Sequence, residues 1–456
     1  MSFDRWRATG KEAAVIGLGK SGRAAALLLK RERIPVYISD IAEKPSAGSP
    51  GPADVVLELK AAGIDVQLGG HDLARIARAG ICVASPGVPP TAPPLKAAME
   101  AGVPVVSELD VGYAGLPATN FAVITGTNGK TTTTALTGHL MQAAGLHALT
   151  AGNIGLPLAQ VALDGNPPAW IALEMSSFQL ADTRDLVPAI GATTNLAPDH
   201  LDRYPDLESY YHDKDQLYLH ARDESIWVLN GDDPEVLRRA QEKAGIKLLF
   251  RIGEPADAWY DRGRRQLVLN GADLLPRDEL QLFGDHNVAN ALCAALIANR
   301  AGAGREAIAT GLRSFRALKH RMEPIREVGQ VLWINDSKAT NVSSTRVAVE
   351  ALERPFVLLL GGRHKGEPYT ALAAASGGRC RAVIAYGESQ KLIEQDLNGL
   401  LPVIPGGTDF RHVMQAARAA AKPGDAVLLS PACSSYDMFK NYEDRGAQFR
   451  AAVEAM

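Results

Sequence analysis

An apolar strand-like run, Phe121-Ala122-Val123-Ile124, leads into Thr125-Gly126-Thr127-Asn128-Gly129-Lys130-Thr131 and then an Ala/Leu-rich stretch. Strand, glycine loop and helix in that order aim backbone N–H groups at an anion and seat it at a helix N-terminus, where the helix dipole favours negative charge. A lysine here reaches the β- and γ-phosphates of a nucleotide, and the next hydroxyl takes Mg²⁺. The strict phosphate-loop pattern has a glycine where Ile124 stands, so this is a shortened form, G-x-x-G-K-T. An ordinary glycine turn opening a helix is the alternative. The agreement of strand, Lys130 and Thr131 favours ATP or GTP, with Gly126, Thr127, Asn128, Gly129, Lys130, Thr131 and Thr132 as its cradle.

Two further segments offer polar ends to the same chemistry. Ala169–Glu174 is a buried-strand pattern ending in a carboxylate, followed by Met175-Ser176-Ser177-Phe178-Gln179. Ala192–Leu196 is a second strand-like run, leading into Ala197-Pro198-Asp199-His200-Leu201-Asp202. A parallel sheet delivers both ends to one carboxyl edge, where ligands bind. Glu174 suits Mg²⁺, which prefers carboxylate oxygen. Imidazole is a less typical partner for that ion, so His200 reads equally as a ligand or as a helix-capping and hydrogen-bonding residue. Asp199 and Asp202 fit helix N-terminal charges just as well.

The elements that position these residues follow an α/β alternation of short β-branched runs and helical stretches. At 456 residues several domains are expected. Glycine loops after strands at 13–16, 121–124 and 357–360 mark three units, with boundaries near 117 and 317. The expected architecture is therefore an N-terminal Rossmann-like domain (1–117), a central P-loop ATPase-like domain (118–317) and a C-terminal Rossmann-like domain (318–456). A Pro/Gly/Ser-rich stretch from Glu43 to Pro52 reads as a loop.

Composition narrows the class. Hydrophobic residues at 46%, charged residues at 22% and a net charge of −3 describe a globular protein without the basic balance of a nucleic-acid binder. Cys82, Cys293, Cys380 and Cys433 are scattered, which disfavours a disulfide framework or a cysteine zinc site and fits a reducing compartment. No apolar run reaches the roughly eighteen residues of a membrane span, and the opening residues lack a signal-peptide pattern. A cytoplasmic protein is expected, with no nucleic acid and no membrane among its partners.

Gly17-Leu18-Gly19-Lys20-Ser21-Gly22, followed by Asp40, reads by itself as a dinucleotide fingerprint and suggests a nicotinamide-dependent dehydrogenase. A lone pattern of this kind is weak. The wider set of motifs, TGTNGKT (125–131), EMSSFQL (174–180), NLAPDHLDRY (195–204), GDHNVANALCA (284–294), HRME (320–323), NDSKATN (335–341) and SPACSSYDMFKNYEDRG (430–446), resembles the Mur ligases in family order. The DHLDRY form and the NDSKATN and SPACSSYDMFKNYEDRG segments are similar to the branch that adds D-glutamate to UDP-N-acetylmuramoyl-L-alanine. The Asp-Asn-Pro-Arg motif of the diaminopimelate- or lysine-adding branches is absent from the sequence.

The resemblance implies an ATP-dependent amide synthesis through an acyl phosphate, with two Mg²⁺ ions. It implies metal ligation by Thr131, Glu174, His200 and Lys214, the last as a carbamate. Asn287, Asn290, Arg321 and Asp336 are expected around the nucleotide, and Lys338 beside the transferring phosphate. It moves the first glycine loop to a UDP sugar held by Lys20, Ser21, Asp40 and Ser85, with Asn153 and Gln179 toward the muramoyl side. Ile41 and Ala42 stand where the family often has Thr and Arg. For D-glutamate it implies Thr340, Lys365, Ser435 and Tyr442.

Overall fold

The computed structural model describes residues 3–43, 52–199 and 204–456, so His200, Asp202 and most of the 43–52 loop lie outside it. Among the described residues the chain builds three sheets. The first contains β1 (Ala13–Ile16), β2 (Val36–Asp40), β3 (Asp65–Leu68), β4 (Ile81–Ala84) and β5 (Val105–Ser107), in the order β3-β2-β1-β4-β5. Its pairs are parallel, and the order reverses at β1, which places the Gly17–Gly22 loop at the switch point.

The second sheet contains β6 (Asn120–Thr125), β7 (Ala148–Gly152), β8 (Trp170–Glu174), β9 (Ile190–Thr193), β10 (Ile226–Asn230), β11 (Ile246–Ile252), β12 (Ala258–Asp261), β13 (Gln266–Leu269) and β14 (Ala272–Pro276). Their order is β14-β13-β12-β11-β10-β9-β6-β8-β7. Only the last two strands join antiparallel, as the short loops at 262–265 and 270–271 allow. Strand β6 lies between β8 and β9, with Ile124 opposite Glu174 and Thr125 opposite Thr193. That register brings the phosphate loop, Glu174 and the 194–199 segment to one carboxyl edge.

The third sheet contains β15 (Glu323–Val328), β16 (Val331–Asn335), β17 (Phe356–Gly361), β18 (Cys380–Tyr386), β19 (Val403–Gly407) and β20 (Ala426–Leu429), in the order β15-β16-β20-β17-β18-β19. Its central strands are apolar at every position because both faces are covered. Leu358 and Leu360 join one buried cluster, and Val357 and Leu359 the other. The three-sheet α/β class expected from the sequence is the one observed.

The chain forms two compact units: Met1–Arg277 with Ala289–Leu312, and Asp278–Val288 with Arg313–Met456. The first unit carries two sheets, joined by three helices, Lys20–Arg31, Glu108–Ala114 and Leu158–Leu163. A Cβ at Gly112 would lie 2.6 Å from Ala159 N, so only glycine permits this approach. Glu108 Oε1 accepts a 2.6 Å bond from Ala159 N, and Arg31 Nη1 donates to Ala162 O at 2.9 Å. A carboxylate thus sits at the start of the 158–163 helix and a guanidinium at its end, each opposing the local dipole.

Burial pushes the Glu108 carboxyl up to about 7 from its ordinary 4.5. An acid with a raised folded-state pKa stabilises the fold below its unfolded pKa and loses that contribution as pH rises through the folded one. Relative to Glu108→Gln, the wild type should lose on the order of 3 kcal/mol of stability between pH 4.5 and 7.5. Calorimetric unfolding of both proteins across that window checks this; a constant difference would refute it.

Candidate active site at the carboxyl edge of the central sheet

Gly126 and Gly129 take φ of 136° and 83°. A Cβ on Gly126 would lie 2.1 Å from Thr194 Oγ1, and one on Gly129 would lie 2.3 Å from Asn290 Oδ1. The loop is pinned from the neighbouring strand end: Thr127 N donates to Asn195 O at 2.8 Å, and Asn128 N to Asn195 Oδ1 at 2.9 Å. Those two donors are therefore occupied within the protein. The opening turn of the helix Lys130–Ala143, with Thr131 and Thr132 in it, is the part of this element that could take an anion.

Lys130 Nζ curls back over the loop to Gly126 O at 2.8 Å and Thr127 O at 2.7 Å. Lys214, on the helix Leu207–Asp215, reaches the same carbonyl, its Nζ donating to Gly126 O at 2.8 Å. It is buried, with Nζ 4.7 Å from the Tyr210 ring centroid. Burial, and then the charge of Lys130, push the Lys214 amine well below the usual lysine range. Tyr210 is anchored in turn, its hydroxyl 3.2 Å from Thr127 Oγ1.

Glu174 ends β8 in a buried position. Asn153 Nδ2 donates to its Oε1 at 2.9 Å, while Oε2 is buried with no hydrogen-bond partner among the described residues. An orphaned buried carboxylate oxygen facing a phosphate loop fits a hard cation. Among the described residues no group of three His, Cys, Asp or Glu side chains is arranged to hold a metal ion, and His200 lies outside them. The Asn153–Glu174 bond, spanning β7 to β8, was not visible in the sequence, where Asn153 read only as a substrate contact.

Asn290 and Asn287 lie on the helix Asp285–Arg300. Asn290 Oδ1 accepts from Thr133 Oγ1 at 3.1 Å and backs onto Gly129. Asn287 Nδ2 donates to Phe283 O at 2.8 Å, within the second unit. Gln179 closes a capping box on the helix Ser177–Asp182, its Oε1 accepting from Ser176 N at 3.0 Å.

At the first glycine loop, Asp40 spends both oxygens on backbone: Leu18 N at 2.7 Å and Ala42 N at 2.9 Å. Ser85 Oγ donates to Gly17 O at 3.3 Å and stands where a Gly17 Cβ would go. Lys20 and Ser21 open the helix Lys20–Arg31, with Lys20 exposed.

In the second unit, His320 and Met322 have φ of 64° and 43°, a left-handed backbone rare outside glycine, on either side of Arg321. Asp336 holds this turn, accepting from Met322 N at 3.1 Å and from Ser430 Oγ at 2.7 Å; burial pushes its carboxyl up to about 7. Lys338 Nζ lies 5.2 Å from the Tyr442 ring centroid, and His320 meets the same ring edge-on. Lys365 Nζ donates to Thr340 Oγ1 at 3.2 Å, so these two residues come together as a pair. Ser435 is buried in the turn before the last helix.

The sequence reading missed Arg445. It is fully buried and donates to Ser337 Oγ, Ser337 O and Cys433 O at 2.9, 2.8 and 3.1 Å, tying the 335–341 and 430–435 loops. A signal existed: Tyr442, Arg445, Phe449 and Val453 fall on one helical stripe, so the arginine stands on a buried face.

These elements define a nucleotide-dependent ligase framework, and the chain belongs to the Mur ligase family. The Mur ligase MurD-like N-terminal domain matches residues 11–107, the Mur ligase middle domain 124–298, and the Mur ligase glutamate ligase domain 320–433. The proteins of Salinibacter ruber and Acidobacterium capsulatum named UDP-N-acetylmuramoylalanine–D-glutamate ligase are 40% and 39% identical to it. The first alignment covers 100% of both chains, the second 98% of this chain and 96% of that one. The Thermotoga maritima MurF ligase in complex with ADP shares the fold, with a TM-score of 0.60 at 17% identity over 92% of this chain and 95% of that one.

Gly126→Ala should strain the loop by at least about 1–3 kcal/mol and weaken ADP binding accordingly. Calorimetric titration with ADP measures this, and wild-type affinity in the variant would count against the loop geometry.

Proposed function

We propose that the chain joins D-glutamate to UDP-N-acetylmuramoyl-L-alanine, cleaving ATP to ADP and phosphate, in the synthesis of a peptidoglycan precursor. The observation that carries this reading is the meeting of the phosphate loop, Glu174 and Lys214 at one sheet edge, in a chain about two-fifths identical along its length to ligases of that name.

Residues 1–117 hold the uridine diphosphate end, through Lys20, Ser21, Asp40 and Ser85, with Asn153 and Gln179 toward the muramoyl group. Residues 118–317 hold ATP, through Gly126–Thr132, Asn287 and Asn290. Residues 318–456 contribute Arg321 and Asp336 toward the nucleotide and bind D-glutamate through Thr340, Lys365, Ser435 and Tyr442. Arg321 and Lys365 offer cations to phosphate and carboxylate oxygens. Asp336 acts by holding Arg321's turn, and Tyr442 by presenting its ring to Lys338. The enzyme works as a cytoplasmic monomer; among the described residues no helix is long and apolar enough to cross a membrane.

The substrate carboxylate attacks the γ-phosphorus of ATP, giving an acyl phosphate and ADP. The amine of D-glutamate then attacks the acyl carbon, and phosphate leaves. Carboxylate and triphosphate repel, and Lys130 lowers that cost from the loop while Lys338 flanks the transferred group. Two Mg²⁺ ions, when bound, supply the remaining charge neutralisation. Thr131, Glu174, His200 and a carbamate on Lys214 would hold them. The depressed amine of Lys214 is suited to that modification: its lone pair attacks the carbon of CO₂, an N–C bond forms, and a proton leaves to water. A buried donor becomes a carboxylate.

Phosphate release from ATP should require both UDP-N-acetylmuramoyl-L-alanine and D-glutamate, with L-glutamate, L-lysine and diaminopimelate inactive. No release with D-glutamate would overturn the assignment. Lys130→Ala should lower kcat by at least roughly a hundredfold, the scale of losing one preorganised donor to a developing charge.

A further inference from the structure

Arg239 lies on the helix Pro234–Ala240, with its side chain 4% exposed. Its guanidinium meets three carboxylates. Nε donates to Glu235 Oε1 at 2.6 Å, Nη1 to Asp215 Oδ2 at 2.7 Å, and Nη2 to Glu208 Oε2. Its carbon also sits 4.8 Å from the centroid of the Tyr211 ring. Glu208 and Asp215 stand at opposite ends of the helix Leu207–Asp215, seven residues apart, and Tyr211 lies between them. At helical spacing these three share one face, while Tyr210 and Lys214 point the other way, to the phosphate loop.

From this geometry we infer that Arg239 is a positioning residue for Lys214: one buried fork grips both ends of the helix and presses its far face onto Gly126 and Thr127. The inference rests on the role proposed above for Lys214. A nine-residue helix is too short to hold itself, and it carries a side chain that must be converted to a carboxylate and kept in place. The planar fork with five donors can span Glu208, Asp215 and Glu235 together, which a single ammonium cannot. Fixing the helix therefore favours the carbamate. As Lys214 Nζ attacks CO₂ and releases a proton, the product must fit between elements already in position, and a looser helix lowers its occupancy.

The test uses the full chain as wild type, Arg239→Lys and Glu208→Gln. The second variant removes one exposed tether while Arg239 keeps Asp215 and Glu235, so it guards against loss of folding in the first. Carbamate on Lys214 is read by ¹³C NMR during titration with ¹³C-bicarbonate, alongside turnover at each bicarbonate concentration. In Arg239→Lys, kcat at low bicarbonate should fall roughly ten- to a hundredfold, as displacements near 1 Å commonly cause, with KM for the UDP substrate unchanged. Carbamate occupancy should shift to higher bicarbonate, and turnover should recover along the same curve. Glu208→Gln should shift the same way by less. Occupancy curves that superimpose on wild type would overturn the inference, as would a turnover loss indifferent to bicarbonate. If the wild type shows no carbamate and Lys214→Ala turns over normally, the reading of Lys214 is at fault and the inference falls with it.

Discussion

One carbonyl oxygen, that of Gly126, receives both Lys130 and Lys214. Two amines on one acceptor are costly for each other unless one is close to neutral, and burial already pushes Lys214 that way. Much of the central sheet serves this contact. Gly126 must have positive φ and no Cβ because Thr194 lies against it, and Thr194 in turn donates to Asn128 O at 2.6 Å. The β9 end thus clamps the loop from one side while the 207–215 helix closes it from the other. Charge, backbone conformation and strand order are set together at that point.

Where residue type and local spacing carried the information, the sequence was legible. The phosphate loop sits where its strand–glycine–helix pattern put it, and Glu174 ends β8 beside it because strand termini of a parallel sheet share an edge. The three α/β sheets followed from alternation of β-branched and helical runs. Partners far apart along the chain were not legible. Asn153 to Glu174, Glu108 to Ala159 and Arg239 to Glu208 span 21, 51 and 31 residues, and nothing in either member names the other.

A subtler gap concerns polar residues whose bonds within the protein the sequence does not show. Asp40, Gln179 and Asp336 have the right chemistry for ligands, yet each spends carboxylate or amide oxygen on nearby protein groups. Short-range turns and caps compete with ligands for the same acceptors. In the structure these oxygens hold backbone and neighbouring side chains in place. Arg445 and Arg239 extend this theme: both are buried arginines fastening two segments.

The helix Leu158–Leu163 is gripped by Glu108 at one end and Arg31 at the other, both from the first sheet's side of the unit. Upstream of that helix, through Asn153, lies the edge strand β7. The helix fixed to the first sheet and the Asn153 that donates to Glu174 are thus separated by only a short length of chain. In terms of modularity, the first α/β layer is not a detachable unit. A chimera that exchanges it must carry Arg31, Glu108 and Gly112 along, or the 158–163 helix loses the partners at both its ends.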